Sequence, residues 1–217
     1  MTLPVLCMFA RAPLPGRCKT RLAATIGDEA AASLYEALLL DTLARLSTIT
    51  NARRVLLAAS EHDGITTLTA LAPEGWEVVP QHTGDLTARL IDAFATLSAA
   101  GAPVICVGSD APFVPLDALQ IALADDEHDV VVGPSRDGGY WAIGMRRLVP
   151  ELLEHMPWSS EHVTRETLAR CRRLGLGVRL LPESFDVDDE ADLEELARAA
   201  AARPGAAPRC EAWLARR

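Results

Sequence analysis

Four cations, Arg11, Arg17, Lys19 and Arg21, stand in the stretch ARAPLPGRCKTRLA (residues 10–23), and no acidic residue precedes Asp28. The chain as a whole carries a formal charge of −9, so this is a local concentration against the general balance. Pro13, Pro15 and Gly16 set a turn that lets backbone approach a ligand closely. Lys19 and Arg21 then fall where the next helix should begin, and N–H groups at a helix start favour an anion. Guanidinium groups grip phosphate oxygens in pairs, while an ammonium is a mobile point charge. The spacing is not that of a Walker A loop, because Gly16 is separated from Lys19. A polyphosphate is the expected ligand; a solvated basic loop is the plainer alternative.

The matching acidic residues come much later. VICVGSDAPFVP (residues 104–115) is a buried-type strand that breaks into a loop bearing Asp110. A carboxylate there suits Mg²⁺ (or Mn²⁺), which takes one or two protein carboxylates plus substrate phosphates; an Asx turn ahead of Pro112 is the bland account. In SFDVDDEADLEEL (residues 184–196), Asp186 or Asp188 is placed to return to such a metal, whereas Asp189 and Asp192 suit a helix cap. GPSRDGGYWAIG (residues 133–144) sets Asp137 beside Gly138 and Gly139, a pair that admits a substrate or simply opens a hairpin. In HTGDLTARL, Gly84, Asp85 and Arg89 read as a helix cap and a cation. Trp158 in MPWSSEH reads as a staple before a helix.

The elements that must position these residues alternate. Short apolar runs at residues 4–10, 54–59, 77–80, 103–108 and 129–133 predict strands. Amphipathic stretches at residues 28–46, 85–97 and 115–124 predict the helices between them. This rhythm implies a mostly parallel sheet covered on both faces, a Rossmann-like α/β domain. Ligands of such sheets sit beyond the carboxyl ends of the strands, where the cationic loop and Asp110 both fall. After Gly133 the pattern shifts to an antiparallel excursion at YWAIGM, helices at residues 148–155 and 160–174, a strand at 178–181 and a helix at 189–202. Residues 1–202 are expected to form one domain, with residues 203–217 a peripheral tail rich in Ala, Pro and Arg.

Several classes are excluded by composition. No apolar run approaches a membrane span, no signal peptide is evident, and the five cysteines show no C-x-x-C spacing, which suits reduced thiols in the cytoplasm. The acidic balance argues against nucleic acid, and the histidines lack zinc-ligand spacing. A homodimer is neither marked nor excluded, with the tail the segment able to contribute to its face.

In their order, PGRCKTRL, HTGDLTARL, VGSDAPFVP, DGGYWAIG, PWSS and FDVDDEADL resemble the radical-SAM/selenodomain-associated transferase family, over residues 4–196. Its members are often described as glycosyltransferases, some linked to arsenosugar biosynthesis. They fall in the glycosyltransferase-A superfamily of nucleotide-diphospho-sugar transferases, alongside the molybdenum-cofactor and phospholactate guanylyltransferases. The resemblance implies a sheet that binds an NTP or NDP-sugar with a divalent cation. It implies Gly16, Lys19 and Arg21 for phosphates, Gly84, Asp85 and Arg89 near the nucleotide, and Asp137, Gly138 and Gly139 toward the acceptor, where Trp158 is also placed. Asp110 and Asp188 would hold the metal. Arg11 stands where the family has lysine, with the charge kept.

Two reactions compete. In nucleotidyl transfer, the loop cations hold an NTP while a phosphate- or carboxylate-bearing small acceptor attacks the α-phosphorus and releases pyrophosphate, with Lys19, Arg21 and Asp110 aligning the groups. In glycosyl transfer, an acceptor hydroxyl needs a base, and Asp137 is the nearest. The cation-rich loop, and a single carboxylate in GSDAP where glycosyltransferases commonly carry D-x-D, favour the first. A non-catalytic nucleotide-binding module is the third reading.

Overall fold

The run VLCMFA is apolar throughout and almost wholly buried, which a strand achieves only when both faces of its sheet are covered. It forms β1 (Val5–Ala10), the centre of a computed structural model that describes residues 2–98 and 101–217. The other strands are β2 (Arg53–Ala58), β3 (Trp76–Pro80), β4 (Val104–Val107), β5 (Val130–Pro134), β6 (Tyr140–Met145) and β7 (Val178–Leu180). The helices are α1 (Thr20–Ile26), α2 (Asp28–Leu46), α3 (Gly64–Leu71), α4 (Leu86–Leu97), α5 (Leu116–Leu123), α6 (Val163–Leu174), α7 (Glu190–Ala202) and α8 (Pro208–Leu214). They build a seven-stranded sheet in the order β3-β2-β1-β4-β6-β5-β7. Every pairing is parallel except those of β6, which runs antiparallel to both β4 and β5.

Side-chain alternation along β1 divides the core between two layers. Leu6, Met8 and Ala10 pack with Leu39, Leu43 and Leu46 of α2, Leu68 of α3 and Leu119 of α5. Val5 and Cys7 face the other way, onto Leu90 and Phe94 of α4 and Cys171 of α6. From β1 the chain runs outward through β2 to β3, then crosses back to β4 on β1's other side. The β1/β4 boundary is therefore the topological switch point, where loops diverge and leave a crevice at the carboxyl edge. No helix among the described residues is long and apolar enough to cross a membrane.

Two expectations meet a different outcome. The helix expected at residues 148–155 is only a short 3-10 turn, Pro150–Leu152. Pro150 starts it, His155 takes a left-handed φ of 52°, and the buried Arg170 guanidinium collects the carbonyls of Glu151, Glu154 and His155 that a continuing helix would bond internally. The tail expected to be peripheral instead forms α8, which buries Ala207, Cys210 and Trp213 against α2 and α7. Asp41 of α2, 1% exposed, fixes it by accepting from the N–H groups of Arg209 (3.0 Å) and Cys210 (2.9 Å) and from the Arg209 guanidinium (3.2 Å).

Asp41→Ala strands those donors beside a buried surface and should lower stability by about 2–3 kcal/mol. Urea unfolding checks this: an unchanged midpoint would mean that α8 is not coupled to the rest of the fold.

Candidate functional site

Three chain segments meet at the carboxyl edge of β1, β4 and β5. The first is the loop after β1. Pro13, Pro15 and Gly16 (φ 70°) turn it back, and Lys19 closes it as the residue before α1, in a left-handed conformation (φ 48°, ψ 44°). That conformation costs a β-carbon-bearing residue about 1–3 kcal/mol and persists where surrounding contacts hold it. The second is the β4–α5 loop with Ser109 and Asp110, whose start is tied to β6 by Gly108 N–H to the Trp141 carbonyl, 3.0 Å.

The third segment, residues 184–188, runs extended beside the end of β5. Ser184 N–H donates to Pro134 O at 3.1 Å, and Arg136 N–H to Ser184 O at 3.2 Å. Phe185 and Val187 point into the core shared with α7 and α8, so the i, i+2 partners Asp186 and Asp188 share the opposite face. The segment ends in a capping box: Asp189 accepts from Ala191 and Asp192 N–H, and the Asp192 carboxylate accepts from Asp189 N–H.

At the meeting point one carboxylate oxygen from each of Asp110, Asp186 and Asp188 lies within 4.8 Å of the others. The Lys19 ammonium, its side chain 5% exposed, donates to Asp110 and to Asp188 Oδ1 (2.7 Å). Burial alone would push this ammonium down, but Asp110 and Asp188 outweigh it and hold the group above the usual lysine range. Asp186 goes the other way. Burial, together with the charges of Asp110, Asp137 and Asp188, pushes its carboxyl up to about 6, against a hydrogen bond from Ser135 Oγ (2.6 Å) that lowers it. Three hard oxygen donors on one edge, two of them already paired with a positive charge, fit a Mg²⁺ or Mn²⁺ ion.

Hollows surround this cluster. One of about 290 Å³ is lined by Arg11, Arg17, Lys19, Tyr35, Ser109 and Asp110, with Arg21 and Asp188 at its side. A second, about 260 Å³, continues past Arg11 to Gln81, Leu86 and Arg89. The buried Tyr35 hydroxyl links them, 3.0 Å from Ser109 Oγ and accepting from Arg11 N–H. Gln81 spends both amide donors on the carbonyls of Ala10 and Leu57. A third hollow, about 260 Å³, lies beyond Asp186 and Asp188 and is edged by Arg21, Arg136 and Asp137.

A family model described as "Uncharacterized protein conserved in bacteria (DUF2064)" matches residues 42–160. The chain belongs to this family. The DUF2064 match takes in Asp110, while the cationic loop and the 184–188 segment lie outside it. No curated protein matches the sequence. Among solved structures, a provisionally named nucleotide-diphospho-sugar transferase from Desulfovibrio desulfuricans G20 is 29% identical, over 100% of this chain and 98% of its own, with a TM-score of 0.85. Two more distant structures share the fold. The inositol-1-phosphate CTP transferase of T. maritima is 16% identical, over 93% of this chain and 96% of its own, TM-score 0.54. Rv0371C of Mycobacterium tuberculosis H37Rv, in complex with manganese, is 19% identical, over 91% and 99%, TM-score 0.56. The fold of this DUF2064 protein is therefore that of the nucleotide-diphospho-sugar transferases and cytidylyltransferases, as the ordered motifs implied.

The expected site residues divide by position. Lys19, Asp110 and Asp188 converge, and Asp186 joins Asp188, so the two residues that the sequence left as alternatives both face the cluster. Arg11 and Arg17 are exposed at the cavity mouth, and Arg21 lies 2.9 Å from Asp189 at the surface. Arg89 reaches the second hollow, while Asp85 caps α4 through Ala88 N–H (2.9 Å) and Gly84 accepts from Arg89 Nε. Asp137 accepts from Gly139 N–H in an Asx turn and edges the third hollow. Gly138, Gly139 and Trp158 line none of the three hollows. A β-carbon on Gly138 would stand 2.2 Å from Glu161 O, the Gly139 carbonyl accepts from Thr164 Oγ1, and Trp158 Nε1 donates to Thr87 Oγ1 at 2.7 Å. These three residues seat the β5–β6 turn and the residues 157–164 against α4 and α6.

Tyr35, Ser135 and Gln81 went unread in the sequence, and Ser109 only as a turn former beside Asp110; each is an uncharged polar residue whose partner lies in a distant segment. A stronger signal was available in the composition. Lys19 is the chain's one lysine, all other basic residues being arginine or histidine.

Because the Asp186 carboxyl moves from 3.8 to about 6 on folding, the folded protein holds a proton that the unfolded chain releases. This contribution to stability is complete below about pH 4 and is lost as pH rises through about 6. Metal-free protein should lose stability over that window, and Asp186→Asn should flatten the slope. Denaturant midpoints at pH 4, 5, 6 and 7 measure it; parallel curves for the two proteins would place Asp186 in an ordinary environment.

Proposed function

We propose that this protein is a Mg²⁺- or Mn²⁺-dependent nucleotidyltransferase that moves an NMP from an NTP to a small phosphate- or carboxylate-bearing acceptor. The observation that carries the reading is the convergence of Asp110, Asp186 and Asp188, from two distant chain segments, beside a cavity that Arg11 and Arg17 also line. A divalent cation held by the three carboxylates would supply charge neutralisation at the reacting phosphates.

The chain's own residues do the positioning. Arg11 and Arg17 offer paired donors to the terminal phosphates, and Lys19 and Arg21 supply further positive charge at the start of α1. Tyr35, packed on Ser109 and on the backbone of Arg11, keeps the phosphate loop and the Asp110 loop in register. Nucleoside is accommodated in the hollow bounded by Gln81, Leu86 and Arg89. The acceptor approaches from the hollow edged by Arg136 and Asp137, which places it across the carboxylates from the phosphate loop. An acceptor that is already anionic needs no base; an acceptor hydroxyl would pass its proton to Asp137. Residues 1–202 carry this machinery, and α8 braces it.

An NDP-sugar donor is the second reading. It is supported by the name of the 29% identical structure and by the D-x-D spacing of Asp186 and Asp188.

A thermal-shift screen of the four NTPs and several NDP-sugars with Mg²⁺ separates the two. Ligand at a hundred times Kd should stabilise the protein by about 2.7 kcal/mol. A shift with one NTP, followed by cation-dependent pyrophosphate release that falls by about 10²–10³ in Asp110→Ala, is the expected result. A shift with an NDP-sugar alone would make the protein a glycosyltransferase, and unchanged turnover in Asp110→Ala would end the cation role given to that residue.

A further inference from the structure

Lys19 is placed differently from the other loop cations. Arg11 and Arg17 face the open cavity, whereas the Lys19 ammonium is turned inward, its side chain 5% exposed and bonded to two of the three carboxylates. It stands where a metal ion between Asp110 and Asp188 would have to stand. The backbone there is left-handed, at the junction of loop and helix. The residue type is also selective. A planar guanidinium spreads its charge over a fork of donors, while an ammonium is compact enough to sit among converging carboxylates. In a chain that otherwise uses arginine in place of lysine, its sole ammonium is in this position.

The geometry points to Lys19 as an exchangeable counter-ion: it holds the cluster together when no metal is bound, and leaves for the phosphate cavity when the divalent cation enters. This inference rests on reading the three carboxylates as a cation site. The same ammonium cannot neutralise Asp110 and Asp188 while also pairing with a phosphate in the cavity. Cation and polyphosphate therefore assist each other: the cation frees the lysine that the phosphates attract, and the phosphates hold the lysine away from the carboxylates. Such coupling is reciprocal by thermodynamic necessity. Free metal should bind the resting protein weakly, and metal carried with a phosphate chain should bind well.

Two measurements test this, both with Mn²⁺ alone as the probe. In the first, Mn²⁺ affinity is titrated by electron paramagnetic resonance for the wild type, Lys19→Gln and Asp110→Asn. Lys19→Gln should bind Mn²⁺ roughly tenfold or more tightly than the wild type, and Asp110→Asn should lose the site. Equal affinity in wild type and Lys19→Gln, with binding still lost in Asp110→Asn, would overturn the exchange and leave the cation site standing. Binding that survives in Asp110→Asn, or is absent from all three proteins, would remove the cation site itself and this inference with it.

The second measurement needs no variant and so does not depend on the folding of Lys19→Gln. The Lys19 amine is the chain's only side-chain amine, so an amine-acylating reagent followed by mass spectrometry reads it directly, with the N-terminal amine as reference. Lys19 should be protected in metal-free protein and acylated at saturating Mn²⁺. Protection that persists with Mn²⁺ bound would show that the ammonium does not leave, and would overturn the proposal.

Discussion

An ammonium paired with two of three converging carboxylates sets the electrostatics of the carboxyl edge of this sheet. Like charges brought this close repel strongly once water is displaced, and the repulsion has to be met locally by a proton, a cation or a partner side chain. Here Lys19 meets part of it, and the raised Asp186 carboxyl takes up another part. Both responses tie together segments remote in sequence. Apolar packing joins the same segments beneath that edge: Phe113 of the loop after β4 stacks on Phe185 of the extended stretch, with Leu22 and Val187 in the same cluster. Charge compensation then closes the polar side of the junction.

The surrounding groups hold those three ends to fixed places. Tyr35 connects the first two through Ser109 and the Arg11 backbone, Ser135 fastens Asp186, and Asp192 accepts from the backbone of Asp188 and Asp189. Tyr35 and Asp41 both lie on α2, less than two turns apart, one serving the site and the other anchoring α8. That single helix carries the contact to α8 and the contact to the loop after β1, so residues 207–213 are coupled to the geometry of residues 11–19.

The sheet was legible because β1, β4, β5 and β6 are continuous apolar runs and β2 and β3 carry shorter ones, and residues 28–46 form one helix with the predicted ends. Where reading failed, local pattern yielded to a partner that no window contains. Residues 148–155 have helical spacing, but Arg170 takes their carbonyls from a separate helix. The Ala/Arg-rich tail has low apolar density, yet Asp41 and a single tryptophan fold it onto α2 and α7. The cluster was half legible. Its carboxylates stand in recognisable loops, and the F-D-V-D alternation already puts Asp186 and Asp188 on one face. The inward turn of Lys19 was not legible, because backbone conformation at residue 19 and the charge waiting there are tertiary facts. Gly138, Gly139 and Trp158 have the composition of a substrate loop; the hydrogen bonds with Thr164 and Thr87 and the close packing on Glu161 are tertiary contacts that the composition does not announce.

The reversed strand β6 acts as a spacer. It separates β4 from β5 by two inter-strand steps, roughly 10 Å, and being antiparallel it begins, where its neighbours end, on the side of the site. A parallel neighbour would have sent a loop out over that edge. β6 is instead entered by a short turn lying against α6, so no crossover connection starts from it at that edge. The separation of the strand ends that carry Ser109 and Ser135 is thus set by the hydrogen-bond pitch of the sheet, a dimension that substitution of individual residues at the rim leaves unchanged.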